Sequence, residues 1–293
     1  MAGLTVALED GTIAEARPHP RTAAGPPLHL LFAGAEGTLG VVLEAVLRVR
    51  RRPESVIGGG WRLASLEAGL GLLREAMQRD LRPLVLRLYD PADSAFQGLD
   101  GGCLLVAAAA GPRAVAEAEA GVLAELAAGA EPLGEAPWER WLAHRFDLSA
   151  DRLREYLAPP GAFLDTIELA TVWTGLPALY EDVGAHLAAA AGIVLCHFSH
   201  PSAQGCCAYF TFAGSAPDEA AAEVSYREAW RGTMEIALRR GATISHHHGV
   251  GQVRAPWIRA ELGGWWDVWD RVRRALDPHT VLNPAGMGGE RLP

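Results

Sequence analysis

The stretch IVLCHFSHPSAQGCCAYFTFAG (193–214) decides the fold class. Two runs rich in β-branched and aromatic residues, 193–200 and 206–214, flank a short Pro-Ser-Ala-Gln-Gly turn, and this pattern predicts two strands that pair as a hairpin. On either side of the hairpin the sequence predicts a strand over 163–173, a helix over 176–191 and a long helix over roughly 217–240. A hairpin within a mixture of strands and helices predicts an α+β fold, in which an antiparallel sheet carries helices on one face.

The N-terminal part of the chain extends this pattern. LTVALEDGTIAE (4–15) alternates around Asp10-Gly11 and predicts a β-ribbon. LFAGAEGTLGVVLEAVLRVRRRPE (31–54) reads as a glycine-rich turn followed by a strand that ends at Pro53. The next segments are predicted as a helix over 55–82 and strands over 83–90 and 102–111. An amphipathic helix that begins with proline is predicted over 112–130.

The composition excludes several classes of site. All 26 basic residues are arginine, so a Schiff-base lysine and a phosphate-loop lysine are both excluded. With 35 acidic residues the net charge is −9, which argues against a nucleic-acid partner. The four cysteines have no CxxC spacing and suggest a reducing, cytoplasmic setting. No apolar run reaches the roughly 18 residues of a membrane span, and GxGxxG is absent, so a Rossmann dinucleotide site has no support.

TISHHHGVG (243–251) is the sharpest local motif. In an extended segment His246 and His248 would share one face and His247 would take the other. Imidazole titrates near neutral pH, so three neighbouring rings favour proton transfer. A solvent-exposed histidine run, or adventitious metal binding, explains the motif about as well.

Three further side chains are candidates for a site. Arg87 alternates with leucines in VLRLYD, and burying its guanidinium requires an ion pair or an anionic ligand. Tyr209 shares a strand face with Cys207, and its hydroxyl needs a partner; a core tyrosine is the alternative. Arg154 reads, from composition alone, as a surface helix residue. His197 and His200 form HxxH, but residues i and i+3 of a strand point to opposite faces, so a zinc site is not expected.

Several segments together resemble one family. The segment 31–54 looks like the one that closes the FAD-binding domain of the vanillyl-alcohol-oxidase (PCMH) type of FAD-linked flavoproteins, and ALDPHTVLNPAGM (275–287) resembles their Asp-Pro…Asn-Pro-Gly ending. Within this superfamily, the His-His-His-Gly-Val-Gly segment and the strands GCCAYFTF, VLRLYD and ELATVW are most similar to the alkyldihydroxyacetonephosphate (alkylglycerone-phosphate) synthases. Counting back without gaps from ELATVW puts Arg154 at those enzymes' substrate-site arginine.

The resemblance implies a ferredoxin-like C-terminal domain, FAD as cofactor and a set of site residues. It implies that a flavin lies along Glu36, Gly37, Thr38, Leu39, Gly40, Val41 and Asn283. It implies that Arg87 and Arg154 bind the substrate, and that Tyr209, His246, His247 and His248 are catalytic. The implied reaction replaces the acyl group of acyl-dihydroxyacetone phosphate by a long-chain alcohol, with flavin N5 as the nucleophile.

Three segments are expected: 1–54 as the tail of a PCMH-type FAD-binding domain, 55–242 as a substrate domain, and 243–293 as the histidine loop and a helical segment that returns to the flavin. Relatives of this type begin with a longer FAD-binding half, so the chain is expected to need a separate N-terminal half or to be a non-catalytic fragment. A FAD-linked 2-hydroxy-acid dehydrogenase is the other alternative. The expected partners are a phosphorylated lipid-like or hydroxy-acid substrate and a second copy in a homodimer; peripheral contact with a membrane is conceivable. No resident metal is expected.

Overall fold

The computed structural model describes residues 1–146 and 150–288. They divide into two compact units. The first unit comprises Met1–Arg51 and the chain from His247 onward, and the second comprises Arg52–His246. The predicted division into three segments stays a prediction, and the last five residues of its third segment lie outside the described part of the chain.

The described residues form ten strands and nine α-helices. The strands are β1 Gly3–Ala7, β2 Ile13–Ala16, β3 Val41–Val46, β4 Ser55–Leu63, β5 Val85–Tyr89, β6 Cys103–Gly111, β7 Glu131–Gly134, β8 Ala162–Val172, β9 Ile193–Ser199 and β10 Gly205–Ser215. The helices are α1 Leu66–Gln78, α2 Pro91–Phe96, α3 Arg113–Leu126, α4 Ala136–His144, α5 Ala150–Leu157, α6 Leu176–Ala190, α7 Glu219–Arg239, α8 Ile258–Leu262 and α9 Trp265–Leu276.

The sheet of the first unit has the order β2-β1-β3, with antiparallel neighbours. The predicted ribbon at Asp10-Gly11 is confirmed, and Gly11 adopts the positive φ of +83° that its turn requires. The predicted strand to Pro53 is too long, because β3 ends at Val46. Its partner β1 begins at Gly3, which pairs with Val46, so no partner backbone remains for the residues that follow.

The second unit is built on a seven-stranded sheet of order β7-β4-β6-β5-β9-β10-β8. All its neighbouring strands are antiparallel, as predicted, and β9 pairs with β10 through the expected hairpin. The predicted helix over 55–82 is wrong in its first third, where β4 pairs along its whole length with β6. Its three glycines carry no side chain, so the strand shows no alternation to read. A Cβ at Gly58 would lie 2.3 Å from the Trp138 ring, so glycine is required there.

The two faces of this sheet differ. The long helices α1, α3, α6 and α7 pack on one face, which buries apolar side chains such as Leu88, Phe198 and Phe210. Fully burying a side chain of this size stabilises the fold by roughly 1.5–3 kcal/mol. The prediction of helices on one face holds for these four, whereas the short α4 covers the β4 end of the opposite face through Trp138. That opposite face carries Arg87, His197, Tyr209 and Glu168, and we call it the site face.

No helix among residues 1–146 and 150–288 combines the length and the apolar character that crossing a membrane would need.

Candidate active site

A row of polar side chains crosses the site face on four adjacent strands. Arg87 lies on β5, His197 on β9, Tyr209 on β10 and Glu168 on β8. Tyr209 stands directly opposite His197 on one side and Glu168 on the other. Directly opposite residues of antiparallel strands bring their side chains into contact, so the register brings His197, Tyr209 and Glu168 together. Tyr89 pairs with His197, so Arg87 is the diagonal neighbour of His197.

Arg87, His197 and Asp93 form a hydrogen-bonded chain at one end of the row. Arg87 Nη2 contacts His197 Nε2, and His197 Nδ1 lies 3.3 Å from Asp93 Oδ2. A guanidinium can only donate, so Nε2 is the acceptor and Nδ1 carries the proton that Asp93 accepts. The ring of His197 is therefore neutral.

Burial lowers the pKa of His197 to about 4 from its usual 6.5. Desolvation is the largest cause; the hydrogen bond to Asp93 opposes it, and the positive charge of Arg87 adds to the lowering. This direction agrees with the neutral ring that the hydrogen-bond pattern requires.

Arg87 retains unused hydrogen-bonding capacity. Its Nε is buried, and within the described residues it has no hydrogen-bond partner. The guanidinium also lies over the ring of Tyr89, with Cζ 5.5 Å from the ring centroid. A half-buried arginine with a spare donor is suited to bind an acidic oxygen.

Tyr209 continues the row. Its ring stacks on His197 at a centroid distance of 4.7 Å and an interplanar angle of 15°. The hydroxyl donates to Thr166 Oγ1 at 3.2 Å. Cys207 shares its face of β10, as strand alternation predicts.

Glu168 ends the row and holds the start of the histidine loop. It is fully buried. Its carboxylate accepts from Ser245 Oγ at 2.9 Å and from the His246 backbone N–H at 2.8 Å. The Thr243 N–H, which donates to Ala170 O at 2.9 Å, adds a backbone link between the loop and β8.

Sequence reasoning missed Glu168, Asp93 and the partners of His197. The signal for Glu168 was present, because one carboxylate within the apolar run TIELATV has the same burial cost as Arg87 within VLRLYD. For Asp93 there was no such signal, since it lies in the short helix α2 and reaches His197 only through the fold.

The histidine triplet is not extended, so the expected alternation of its rings is wrong. Residues 246–248 form successive bends. The His246 ring packs against His200, with centroids 5.5 Å apart. In the first unit, His247 and His248 contact each other edge to face at 4.5 Å.

His200, Cys207 and His246 are the side chains of the second unit that could hold a metal ion, since their ligand atoms lie within 4.8 Å of one another. Burial raises the pKa of the Cys207 thiol, and the neighbouring Glu168 carboxylate raises it further. A thiol binds metals as the thiolate, so this environment works against a metal site. His197 takes no part in this group, because it belongs to the chain with Arg87 and Asp93.

In the first unit the structure joins Glu36, Asn283 and the Gly-Val-Gly segment. The Glu36 carboxylate accepts from the N–H groups of Val250 at 2.5 Å and Gly251 at 2.9 Å. Asn283 Nδ2 donates to the Glu36 carbonyl at 2.6 Å. Glu36 therefore ties together three segments whose motifs resemble the flavin-lining parts of the family.

The remaining predicted flavin residues differ in exposure. Thr38 and Leu39 are fully buried, so they expose no surface to a ligand in this structure. Gly40 packs against β1, where a Cβ would lie 2.6 Å from Val6 Cγ1, whereas Val41 is exposed. A Cβ at Gly37 would meet only Asn283, at 3.8 Å, which leaves the backbone open to a planar group. Within Glu36–Val41, the exposed Gly37 and Val41 are therefore the residues that fit contact with a flavin.

Arg154 lies on the surface of α5. Its side chain is exposed and forms an ion pair of 2.8 Å with Asp151. Helix α5 packs against β8, the edge strand of the sheet. The contacts that join Arg87, His197 and Tyr209 do not extend to Arg154 in the described structure.

Comparisons with known proteins place the chain among flavin-linked relatives. The chain is 27% identical to alkyldihydroxyacetonephosphate synthase of Trypanosoma brucei brucei over 90% of its length and 48% of the relative's. The Dictyostelium discoideum enzyme of the same name is also 27% identical, over 94% of the chain and 50% of the relative. The chain thus spans about half the length of these curated relatives. Glycolate oxidase subunit GlcD of Bacillus subtilis is 25% identical over 97% of the chain and 62% of the relative.

Solved structures show the same fold. An alkyldihydroxyacetonephosphate synthase structure superposes with a TM-score of 0.73 at 21% identity, over 96% of this chain and 52% of that one. p-Cresol methylhydroxylase with substrate bound superposes with a TM-score of 0.77 at 11% identity, over 99% and 65%. The family pattern of the FAD linked oxidases, C-terminal domain, matches residues 52–287. The chain therefore belongs to the FAD-linked oxidase family, whose enzymes use FAD as cofactor.

Proposed function

We propose that this chain supplies the substrate-binding and proton-transfer part of an FAD-dependent enzyme that exchanges the acyl group of an acyl-dihydroxyacetone phosphate for a long-chain alcohol. The observation that carries the proposal is the half-buried Arg87, whose buried Nε has no partner among the described residues, on the same face as Tyr209. The similarity to two alkyldihydroxyacetonephosphate synthases supports this choice of reaction.

Arg87 binds the phosphate in this proposal. Its guanidinium offers a fork of donors that matches phosphate oxygens, and the chain has no lysine to share the task. Hydrogen bonds to charged groups contribute about 1.5–3 kcal/mol each. Arg154 is proposed as a second substrate contact on the basis of the family resemblance.

The histidines and Tyr209 move and hold protons. Glu168 fixes the backbone of His246, and the imidazole of His246 packs beside His200. His246, with His247 and His248, would take and return the proton on the carbon next to the substrate carbonyl. The Tyr209 hydroxyl would orient the leaving acyl group by hydrogen bonding.

FAD would be held along Glu36–Val41 and Asn283. When bound, the flavin supplies the nucleophile for the covalent step. In this proposal an N-terminal FAD-binding half makes the remaining contacts to the cofactor. The chain's own residues bind the phosphate, orient the ester and carry the proton.

The test is substrate binding followed by product analysis. Acyl-dihydroxyacetone phosphate is titrated into the chain in excess FAD, hexadecanol is added, and the ether product is sought by mass spectrometry. Arg87→Gln is expected to weaken substrate binding by at least tenfold. Arg62→Gln is the matched control, because Arg62 lies on β4 and is paired with Glu131 at 3.1 Å.

Two results would contradict the proposal. One is an equal affinity of wild type and Arg87→Gln for the substrate. The other is bleaching of bound FAD by D-lactate or another 2-hydroxy acid without any acyl ester, which would favour a dehydrogenase like the GlcD relative.

A further inference from the structure

Asp93 is a buried carboxylate beside the polar row that the proposed reaction does not use directly. It lies in the first turn of α2, where its backbone N–H donates to Asp90 Oδ1 at 2.7 Å. Its Oδ1 accepts from Gln97 Nε2 at 3.1 Å, and its Oδ2 faces His197. Both oxygens are thus engaged, and the carboxylate is held at a fixed place.

His197 transmits this fixed position to Arg87. Its ring is held at Nδ1 by Asp93, at Nε2 by Arg87 and on its flat side by Tyr209. Three contacts on three sides leave the imidazole one orientation. The acceptor that it presents to Arg87 Nη2 therefore has a fixed direction.

We propose that His197 is a positioning residue that aims the Arg87 guanidinium at the substrate's anionic group, and that Asp93 orients His197 for this task. The inference rests on the proposed function, in which Arg87 binds the phosphate. An arginine side chain loses rotamer entropy when it is ordered. A guanidinium that is already held loses less of that freedom when the ligand binds.

The pattern of donors also keeps Arg87 available. His197 consumes one N–H of the guanidinium as a neutral acceptor, whereas a carboxylate in its place would form a bidentate ion pair. Nε remains without a partner in the part of the chain that the structure describes. His197 therefore orients the guanidinium without neutralising its positive charge in an ion pair.

Two variants of His197 separate orientation from general structural support. The amide of Gln reaches the place of Nε2 and keeps an acceptor for Arg87, whereas the amide of Asn reaches the place of Nδ1 and keeps only the contact with Asp93. A merely structural role would make both variants equally harmful or equally harmless. A positioning role predicts that the two variants differ in their affinity for phosphate.

The experiment titrates inorganic phosphate into the full chain at pH 7 by calorimetry. We expect His197→Asn to weaken phosphate binding at least tenfold and His197→Gln to stay within threefold of wild type. Asp93→Ala should weaken binding, and Asp93→Asn, which keeps an acceptor oxygen, should restore it. Tyr226→Phe is the control, because it removes a side-chain hydrogen bond to Asp165, which lies on the face of the sheet opposite the site face.

A second measurement does not depend on the variants folding. Nitrogen-15 NMR of the wild-type imidazoles is expected to show His197 as the neutral tautomer with the proton on Nδ1. A proton on Nε2, or equal phosphate affinity of His197→Asn and wild type, would overturn the inference alone. Failure of the wild-type chain to bind phosphate would overturn the proposed anion site and this inference with it.

Discussion

The buried His197 makes the folded chain sensitive to acid. The perturbation is a decrease in pH from 7 to 4.5, applied to wild type and to His197→Gln, which has no titrating group at this position. The folded protein holds the imidazole neutral because its pKa is lowered to about 4. The unfolded chain exposes the ring, which then protonates with its usual pKa of 6.5.

The sign and the size of the effect follow from this difference. Between pH 6.5 and 4 the unfolded state carries one more proton than the folded state at this site, so the free energy of unfolding falls as the pH falls. One pKa unit corresponds to about 1.4 kcal/mol, so the loss reaches about 3 kcal/mol at pH 4. Above pH 6.5 the stabilisation from this group is complete and no longer changes.

Urea unfolding followed by circular dichroism at pH 7, 6, 5 and 4.5 measures the effect. The free energy of unfolding of wild type should fall more steeply than that of His197→Gln, by about 1.4 kcal/mol per pH unit inside the window. Asp90, whose pKa is raised by burial, titrates in both proteins and cancels in the comparison. Parallel curves for the two proteins would refute the neutral, buried state of His197.

Three further predictions concern the supports of the site and the fold. Glu168→Gln should lower the free energy of unfolding by about 1.5–3 kcal/mol and speed hydrogen exchange in the histidine loop, because the NH2 group of glutamine would face an N–H donor. Unchanged exchange would contradict this role of Glu168. Glu36→Gln should likewise speed exchange of the Gly-Val-Gly amides, which NMR would detect. Gly58→Ala should lower the melting temperature through overlap with Trp138, with a cost of about 1–3 kcal/mol, whereas Gly121→Ala on the open side of α3 should raise it.

Strand alternation explains how much of this fold could be predicted. In β5 and β10 each side chain has a clear polar or apolar character, so the sequence predicted both the strands and the face that carries Arg87 or Tyr209. In β4 the glycines Gly58–Gly60 erase that pattern, because Trp138 and Pro137 of α4 fill the space beside Gly58 and Gly60. These contacts come from a distant part of the sequence, so the periodicity of β4 itself cannot predict them.

The candidate site was predicted only in part, because its assembly depends on strand order. Arg87 and Tyr209 were chosen from their own strands. The hairpin predicted that β10 neighbours β9, but no local pattern indicates that β5 is the other neighbour of β9. That order brings His197 between them and makes Asp93 its partner. For the histidine triplet, the expectation of an extended segment failed because Glu168 binds the backbone N–H of His246 and bends the chain there.

The polar row keeps the buried Glu168 carboxylate apart from the half-buried Arg87 guanidinium. Arg87 and Glu168 lie on the same face, and the rings of His197 and Tyr209 stand between them. Burying an unpaired ion costs several kcal/mol, so a direct pair would be the simpler solution for stability alone. Instead, hydroxyl and backbone N–H donors stabilise Glu168, while a neutral imidazole and the Tyr89 ring hold Arg87. This separation leaves Arg87 positively charged, with an Nε–H that has no partner in the described structure. The stability of the fold does not require such a donor, whereas the binding of an anion does.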